Sequence, residues 1–360
     1  FLPMHIDDLT TAGEGIGSID GLKVFVFGPL PGEEVEVEIT EQKKRHAKGV
    51  LKKILHTSNQ RVDPICPHFG ICGGCQIMHL SYPAQLDWKT GRVKNALKRI
   101  GGLDVAVEPC EPSPKELGYR SKIHLHHGGF YQRGSHQIEP IKKCYVHNDV
   151  GEAARQGIQG KEVIVKTSLA TNEVLIVTDG KADREYITEQ LGELKFKIRP
   201  RDFFQVNPQQ ALKLYNKAVQ LAHLTGKESV IDAYCGVGGL ALFAAKNAKH
   251  VYGIETVKSA VISARENANL NGIKNVTFEC QKVGALKADC IFLNPPRSGI
   301  DLKVLDACDA SRLIYISCDP ATLARDLKIL SARYTIEAVY PFDMFPQTTH
   351  VETVVSLFRR

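Results

Sequence analysis

From residue 205 onward the chain alternates short apolar runs with helix-like stretches, and this alternation narrows the possible folds more than any other feature. Seven strand-like runs stand at 229–234, 250–255, 275–280, 289–293, 312–317, 334–340 and 351–358. Helices are expected between the first six. Only Pro341 to His350 separates the last two, so that pair is expected to form a hairpin. Apolar strands joined through helices build a doubly wound α/β sheet with mostly parallel strands.

The first 200 residues read differently. Glu33 to Thr40 alternates acidic and β-branched residues with period two, as a half-buried strand does. Val24 to Phe27 is a second strand, closed by the turn Gly28-Pro29-Leu30-Pro31-Gly32. Short strands and Gly-rich turns in so few residues point to a small β-barrel. A basic run follows: Lys43, Lys44, Arg45, His46, Lys48, Lys52 and Lys53. Residues 60–80 are cysteine-rich and irregular, and residues 82–100 carry Leu86, Val93, Leu97 and Ile100 at helical spacing. Runs at Lys122–His127, Val163–Thr167 and Val174–Thr178 make residues 119–200 an antiparallel β region. We read three domains: 1–58, 59–200 and 201–360.

No apolar run approaches the roughly 20 residues of a membrane helix, so no membrane partner is expected. Phe1 to Thr10 lacks a charged segment followed by an apolar one, so no signal peptide is expected. A cytoplasmic, monomeric protein is the simplest reading, and its ten cysteines then sit in a reducing compartment where disulfides are disfavoured. The net charge of +6 permits a polyanionic partner without requiring one.

Val230-Ile231-Asp232-Ala233-Tyr234-Cys235-Gly236-Val237-Gly238-Gly239 is an apolar strand running into a Gly-rich turn and a helix. Glu255 ends the next strand, where an acid accepts hydrogen bonds from ribose hydroxyls. Either a nicotinamide cofactor or S-adenosylmethionine fits this much. The spacing Gly-x-Gly-x-x-Gly is not met, because Ala241 stands where its third glycine belongs. The terminal hairpin is what separates the sheet of class I methyltransferases from a dinucleotide-binding one.

Cys318 follows the fifth strand in Ser317-Cys318-Asp319-Pro320-Ala321-Thr322, at the edge where open α/β sheets bind ligands. Asn294-Pro295-Pro296-Arg297 ends the fourth strand, and the terminal hairpin carries Asp343-Met344-Phe345-Pro346-Gln347-Thr348-Thr349-His350-Val351-Glu352. With Phe203-Phe204-Gln205-Val206-Asn207-Pro208, these stretches resemble the motifs of the RNA (uracil-5-)-methyltransferase family over nearly the whole chain. The resemblance implies a nucleophile at Cys318 and a base at Glu352. It also implies a cofactor site of Gln205, Tyr234, Gly236, Gly238, Gly239, Glu255 and Asn294. Uracil C5 is too weak a nucleophile to take a methyl group unaided. A thiolate added to C6 activates it, and a base then removes the C5 proton. The target base would have to be flipped out of its stack. Three positions depart from the family pattern: Asn294 replaces an acid, Lys282 stands where an acid or Asn is common, and Asp319 replaces an Asn.

Cys66, Cys72 and Cys75, with Gly70, Gly73 and Gly74 between them, suggest a metal site. One trio without a second close pair favours an iron–sulfur cluster over zinc. Structural thiols without metal are the alternative. Family members with this trio hold a [4Fe-4S] cluster, and the resemblance implies Cys144 as fourth ligand, after Phe130 to His136; Cys110 is the competitor. Cys235, Cys280, Cys290 and Cys308 are expected to be small buried residues.

The N-terminal unit resembles a TRAM domain, a small RNA-binding barrel. RNA contacts are expected from its basic run, from Arg120, Lys122 and Arg133, and from Phe130 and Tyr131 stacking on bases. In the helix near 82–109 the resemblance implies an element packed on the catalytic domain. Relatives with both a TRAM domain and a cluster mostly act on large-subunit RNA, so 23S ribosomal RNA is the expected substrate. The transfer RNA T-loop is the alternative. A catalytically weak RNA-binding member, suggested by Asn294 and Lys282, and a nicotinamide oxidoreductase are the other readings.

Overall fold

The computed structural model describes all residues from 1 to 360. Five strands open the chain: β1 (Leu2–Leu9), β2 (Glu14–Ile19), β3 (Leu22–Phe27), β4 (Glu34–Gln42) and β5 (His46–His56). They close a barrel in the order β1-β2-β3-β5-β4. The alternation read in the sequence explains its inside: Val35 and Val37 are fully buried with Ile6, Val24 and Ala47, while Glu34 and Glu38 face water. Buried Glu33 closes the barrel's exit, taking Arg61 in a two-pronged pair at 2.7 and 2.8 Å.

An irregular segment carries the first three clustered cysteines to α1 (Tyr82–Arg99), which starts on Pro83. Next comes an antiparallel sheet in the order β11-β10-β9-β6-β7-β8. Its strands are β6 (Lys122–His126), β7 (Gly129–Tyr131), β8 (Ile138–Pro140), β9 (Glu162–Thr167), β10 (Val174–Thr178) and β11 (Lys181–Ala182), with α2 (Asp149–Ala154) inserted. The hairpin of β12 (Ile187–Leu191) and β13 (Leu194–Ile198) follows. It serves two cores: Ile187 and Ile198 pack with Leu175, whereas Leu194 and Phe196 join the core beneath the catalytic sheet.

After α3 (Pro208–Ala222) come β14 (Ser229–Ala233), α4 (Gly239–Ala245), β15 (His250–Glu255), α5 (Lys258–Leu270) and β16 (Val276–Cys280). Then follow β17 (Leu286–Lys287), β18 (Cys290–Leu293), α6 (Leu302–Asp306), β19 (Cys308–Asp309), β20 (Arg312–Ser317), α7 (Pro320–Leu330), β21 (Tyr334–Phe342) and β22 (Glu352–Arg359). The main sheet runs β16-β15-β14-β18-β20-β22-β21, with β22 antiparallel to both neighbours. This is the doubly wound sheet with a terminal hairpin. Both faces are buried, so successive residues enter opposite cores: Ile291 and Leu293 go one way, Phe292 the other.

One expected helix does not form. Residues 281–289, between β16 and β18, hold only β17, which pairs with β19 at Leu286 and Cys308. A helix advances about 1.5 Å per residue and extended chain more than twice that, so a connection this short returns across the sheet only when extended. No helix is long and apolar enough to cross a membrane.

α1 lies apart from its sequence neighbours. It packs on α7 and β21, burying Val93 and Leu97 in the catalytic core. Its Lys89 is fully buried and pairs at 2.5 Å with fully buried Asp343 in the β21–β22 connection. The ammonium also donates to the Phe345 carbonyl at 3.2 Å. Removing one partner of such a pair leaves an uncompensated charge. Lys89→Met is expected to lower stability in urea unfolding by about 3–5 kcal/mol. The double variant Lys89→Met, Asp343→Asn should recover part of that loss.

Candidate active site

The Gly-rich turn at the end of β14 is a run of left-handed backbone. Tyr234, Gly236 and Gly238 have φ of 65°, 55° and 88°. For a tyrosine this conformation costs about 1–2 kcal/mol, which the surrounding turn must offset. A Cβ on Gly238 would stand 3.0 Å from the Phe278 ring, and one on Gly239 would stand 3.1 Å from the Tyr215 hydroxyl. Both contacts draw the helix against its neighbours. Glu255 is fixed from three sides: Gly236 N–H donates to it at 3.1 Å, Thr256 N–H at 2.7 Å and Val257 N–H at 2.9 Å.

A cavity of about 1130 Å³ opens over the carboxyl ends of β14, β15, β18 and β20. Of the residues singled out in the sequence, Gln205, Tyr234, Gly236, Gly239, Glu255, Asn294, Cys318 and Glu352 line it. Gly238 is not on its wall, because it sits under the turn against Phe278. Lys282 lines the cavity as well. Pro295 and Pro296 end β18, having no N–H for the ladder.

Sheet register brings Cys318 and Glu352 together. β20 and β22 pair antiparallel through Ser317 and Thr353, so the next position sets Cys318 beside Glu352. Asp319 then caps α7, accepting the Thr322 N–H at 2.9 Å. Burial acts on both members of the pair. Burial pushes the Glu352 carboxyl up to about 7, with Arg297 pulling the other way. Burial, then the Glu352 charge, push the Cys318 thiol up to about 11, again opposed by Arg297.

Several wall residues were not singled out from the sequence. Asp232 is fully buried, and burial lifts its carboxyl to about 8; one of its oxygens has no hydrogen-bond partner. A lone acid inside an apolar strand was the available signal. Tyr215 comes from α3 and faces Asp232, Glu352 and Gln205; nothing in its local sequence marks it. His350 is held neutral, burial lowering it to about 4. Phe203 stands at the cavity with 68% of its surface exposed.

The cysteine set also gathers in space. Cys66, Cys75 and Cys144 pack around Met78, Tyr119 and Val146. Burial pushes the Cys75 thiol well up, and Cys144, Cys72 and Cys66 each add to that. All four are free thiols, and no three of their sulfurs lie within 4.8 Å of one another. Cys110 is buried in the catalytic core instead. Cys235, Cys290 and Cys308 are buried, but Cys280 is exposed, because it ends the edge strand β16. Two expected RNA contacts have other work. Phe130 packs on the core of the central sheet, and the Arg133 guanidinium covers Phe27 of the barrel at 3.5 Å. Tyr131 remains exposed. In the basic run Lys43 and Lys52 pair with Glu41 and Glu38, while Lys44, Arg45, Lys48 and Lys53 are exposed without ion pairs.

Known proteins carry the same arrangement. The model of the tRNA (uracil-5-)-methyltransferase family matches residues 278–360, and that of the TRAM domain residues 2–52. An RNA methyltransferase of Caldanaerobacter subterraneus is 38% identical, covering 99% of this chain and 97% of its own. One from Halalkalibacterium halodurans is 35% identical over 98% and 95%. The chain belongs to the RNA (uracil-5-)-methyltransferase family. Among solved structures, the Pyrococcus abyssi tRNA (uracil-54, C5)-methyltransferase, in complex with S-adenosyl-L-homocysteine, is similar at a TM-score of 0.80 and 27% identity. It covers 99% of this chain and 100% of its own. The barrel is thus the TRAM domain of an RNA methyltransferase, and the seven-stranded sheet is its methyltransferase domain.

The raised carboxyls make stability depend on pH. Asp232 moves from 3.8 to about 8 and Glu352 from 4.5 to about 7, so the folded state holds protons that the unfolded chain releases. Their contribution is full below the unfolded values and is lost as pH rises through the folded ones. The contribution of these two carboxyls should therefore fall between about pH 4 and pH 8; His79 and His350, lowered by burial to about 4, work the other way below about pH 6.5, so the net fall of the ligand-free protein is expected between about pH 6.5 and pH 8. Urea midpoints should show a shallower fall for Asp232→Asn.

Proposed function

We propose that this protein methylates C5 of uridine in RNA, with S-adenosylmethionine in the cavity over the β14 turn. The observation that carries the reading is the register of β20 and β22, which sets a thiol and a buried carboxyl side by side on one cavity wall. S-adenosylmethionine supplies an electrophilic methyl group when bound. Glu255, already fixed by three backbone N–H groups, suits the ribose hydroxyls, and Asp232, with an unpartnered oxygen, suits a second polar contact. Exposed Phe203 at the cavity is placed to stack on a displaced base.

Cys318 acts as a thiolate, its proton having left to solvent. The sulfur bonds to uracil C6, and the C5=C6 electron pair moves onto C5 and the adjacent carbonyl. C5 would then bond the methyl carbon as the methyl–sulfur bond breaks, the sulfur keeping that electron pair so that S-adenosylhomocysteine is left. Glu352 takes the C5 proton, the C5=C6 bond re-forms, and the C6–S bond breaks to return the thiolate. A carboxyl near 7 is suited to that step, being partly ionised at neutral pH and basic enough to accept a carbon-bound proton. Arg297 favours the thiolate, as does the start of α7 two residues on.

Cys66, Cys72, Cys75 and Cys144 are proposed to hold a [4Fe-4S] cluster. Four free thiols gathered around a mostly apolar site, with no three of them within 4.8 Å of one another, suit the thiolate ligands of a multi-iron group. A single zinc at about 2.3 Å would draw the sulfurs to roughly 3.8 Å apart, closer than a multi-iron cluster requires. The Gly74 N–H donates to Cys72 sulfur at 3.4 Å, as cluster ligands commonly accept. The group would tie residues 66–75 to residue 144; no step of the methyl transfer uses it.

The barrel together with the cysteine set favours large-subunit ribosomal RNA. A transfer RNA is the second reading, favoured by the full-length match to the Pyrococcus abyssi protein, which spans the barrel too. Mass mapping of 5-methyluridine in both RNAs, with and without the protein, decides between them. Cys318→Ala should abolish methylation and any covalent RNA adduct. Glu352→Gln should accumulate the adduct while product falls at least about 100-fold. Wild-type turnover should rise with pH through about 7 as Glu352 ionises. Binding of S-adenosylmethionine with no methylation of any RNA would overturn the reading. Asn294→Asp reports whether the uncharged residue limits the rate.

A further inference from the structure

The central sheet carries a cluster that the methyl transfer does not use. His124 and His126 lie two apart on β6, so both side chains leave the same face, opposite the core residues Ile123 and Leu125. On β9, Glu162 stands directly across from His126. The three ligand atoms lie within 4.8 Å of one another. From Glu162 Oε1 it is 4.0 Å to His124 Nε2 and 3.9 Å to His126 Nδ1. Those separations are too long for hydrogen bonds. The two imidazoles are 4.3 Å apart.

Two imidazoles and a carboxylate that converge without bonding one another are arranged as ligands around a common point. We propose that His124, His126 and Glu162 form a site for a divalent transition-metal ion, of the zinc type, with one coordination position open to solvent. Bonds of about 2.0–2.1 Å in a tetrahedron separate ligand atoms by roughly 3.3 Å, so small side-chain rotations close the present gaps. Tyr131 stacks on the His126 ring at 4.5 Å and 23°, which limits that ring's rotation. Lys122, on the same face, is two residues before His124 and opposite Lys166, on the side away from Glu162. The donor set is nitrogen and oxygen only. That separates the site from the four cysteines and selects zinc, cobalt or nickel over sulfur-seeking metals.

Cobalt(II) titration of the full-length protein tests this. The expected signal is one equivalent of cobalt with ligand-field bands and no sulfur-to-cobalt charge transfer, displaced by zinc. Cys75→Ser should keep that equivalent, and His126→Ala should lose it. Glu162→Gln, which preserves shape, should weaken binding about tenfold or more. Far-UV circular dichroism without metal checks that His126→Ala is folded; should it not be, the Glu162→Gln affinity decides. Cobalt uptake unchanged in the folded His126→Ala protein, or affinity unchanged in Glu162→Gln, would overturn the proposal, as would a wild-type protein whose every bound cobalt shows sulfur charge transfer.

Discussion

The connection between β21 and β22 holds the molecule together. Asp343 takes the buried ammonium of Lys89, and Gln347 trades hydrogen bonds with Gln85, giving its N–H at 3.0 Å and accepting from Nε2 at 2.9 Å. The Gln347 carbonyl accepts the N–H groups of Gln76 and Ile77, the residues that follow Cys75. Tyr119 donates to Pro346, Asn207 to Met344, Arg92 to the Thr349 carbonyl, and Thr349 to Thr11 of the TRAM domain. Barrel, cysteine segment, α1 and catalytic sheet thus meet on one short stretch of backbone. So many buried polar contacts on one stretch fix it in a single geometry, with one Asp343 oxygen left without a partner. Glu352 begins the strand that leaves it.

That placement explains the tension in the catalytic pair. Burial makes the charged form of each costlier, and the Glu352 charge adds to that cost at Cys318. Both therefore favour the protonated form. Arg297 works against this at each, and a backbone hydrogen bond does so at Cys318. The site is built around groups that arrive later: a target base for the sulfur to add to, and a proton for the carboxylate to accept.

Much of this was legible from residue order alone. The central strands of the catalytic sheet were readable because they are buried on both faces and so appear as unbroken apolar runs, Cys290–Leu293 among them. Cys318 and Glu255 stood out at the carboxyl ends of strands, where such sheets bind ligands, whereas the roles of Cys318 and Glu352 came from the resemblance of their motifs to the family. Other features depend on partners far away in sequence. Tyr215 reaches the cavity from a helix that otherwise packs in the core, and Lys89 reads as a surface lysine until Asp343 is seen opposite it. The missing helix after β16 was misjudged because apolar alternation reports strands and not the length of chain between them. Phe130 and Arg133 looked free for RNA because a sequence does not show that one packs on the core of its own sheet and the other lies over Phe27 of the barrel. His124 and Glu162 are brought together only by the register of β6 against β9.

The place of α1 bears on how the chain reaches its native state. The helix emerges early in synthesis, yet Val93 and Leu97 belong to a core completed by α7 and the last two strands. Until α7 and the last two strands have been made, its apolar stripe lacks those partners, and Lys89 has no counter-ion. The nascent chain therefore carries a stretch that must stay exposed, or be held by a chaperone, through most of translation. Sequestering the early helix until the late hairpin arrives makes the final step of folding the same event that completes the catalytic wall.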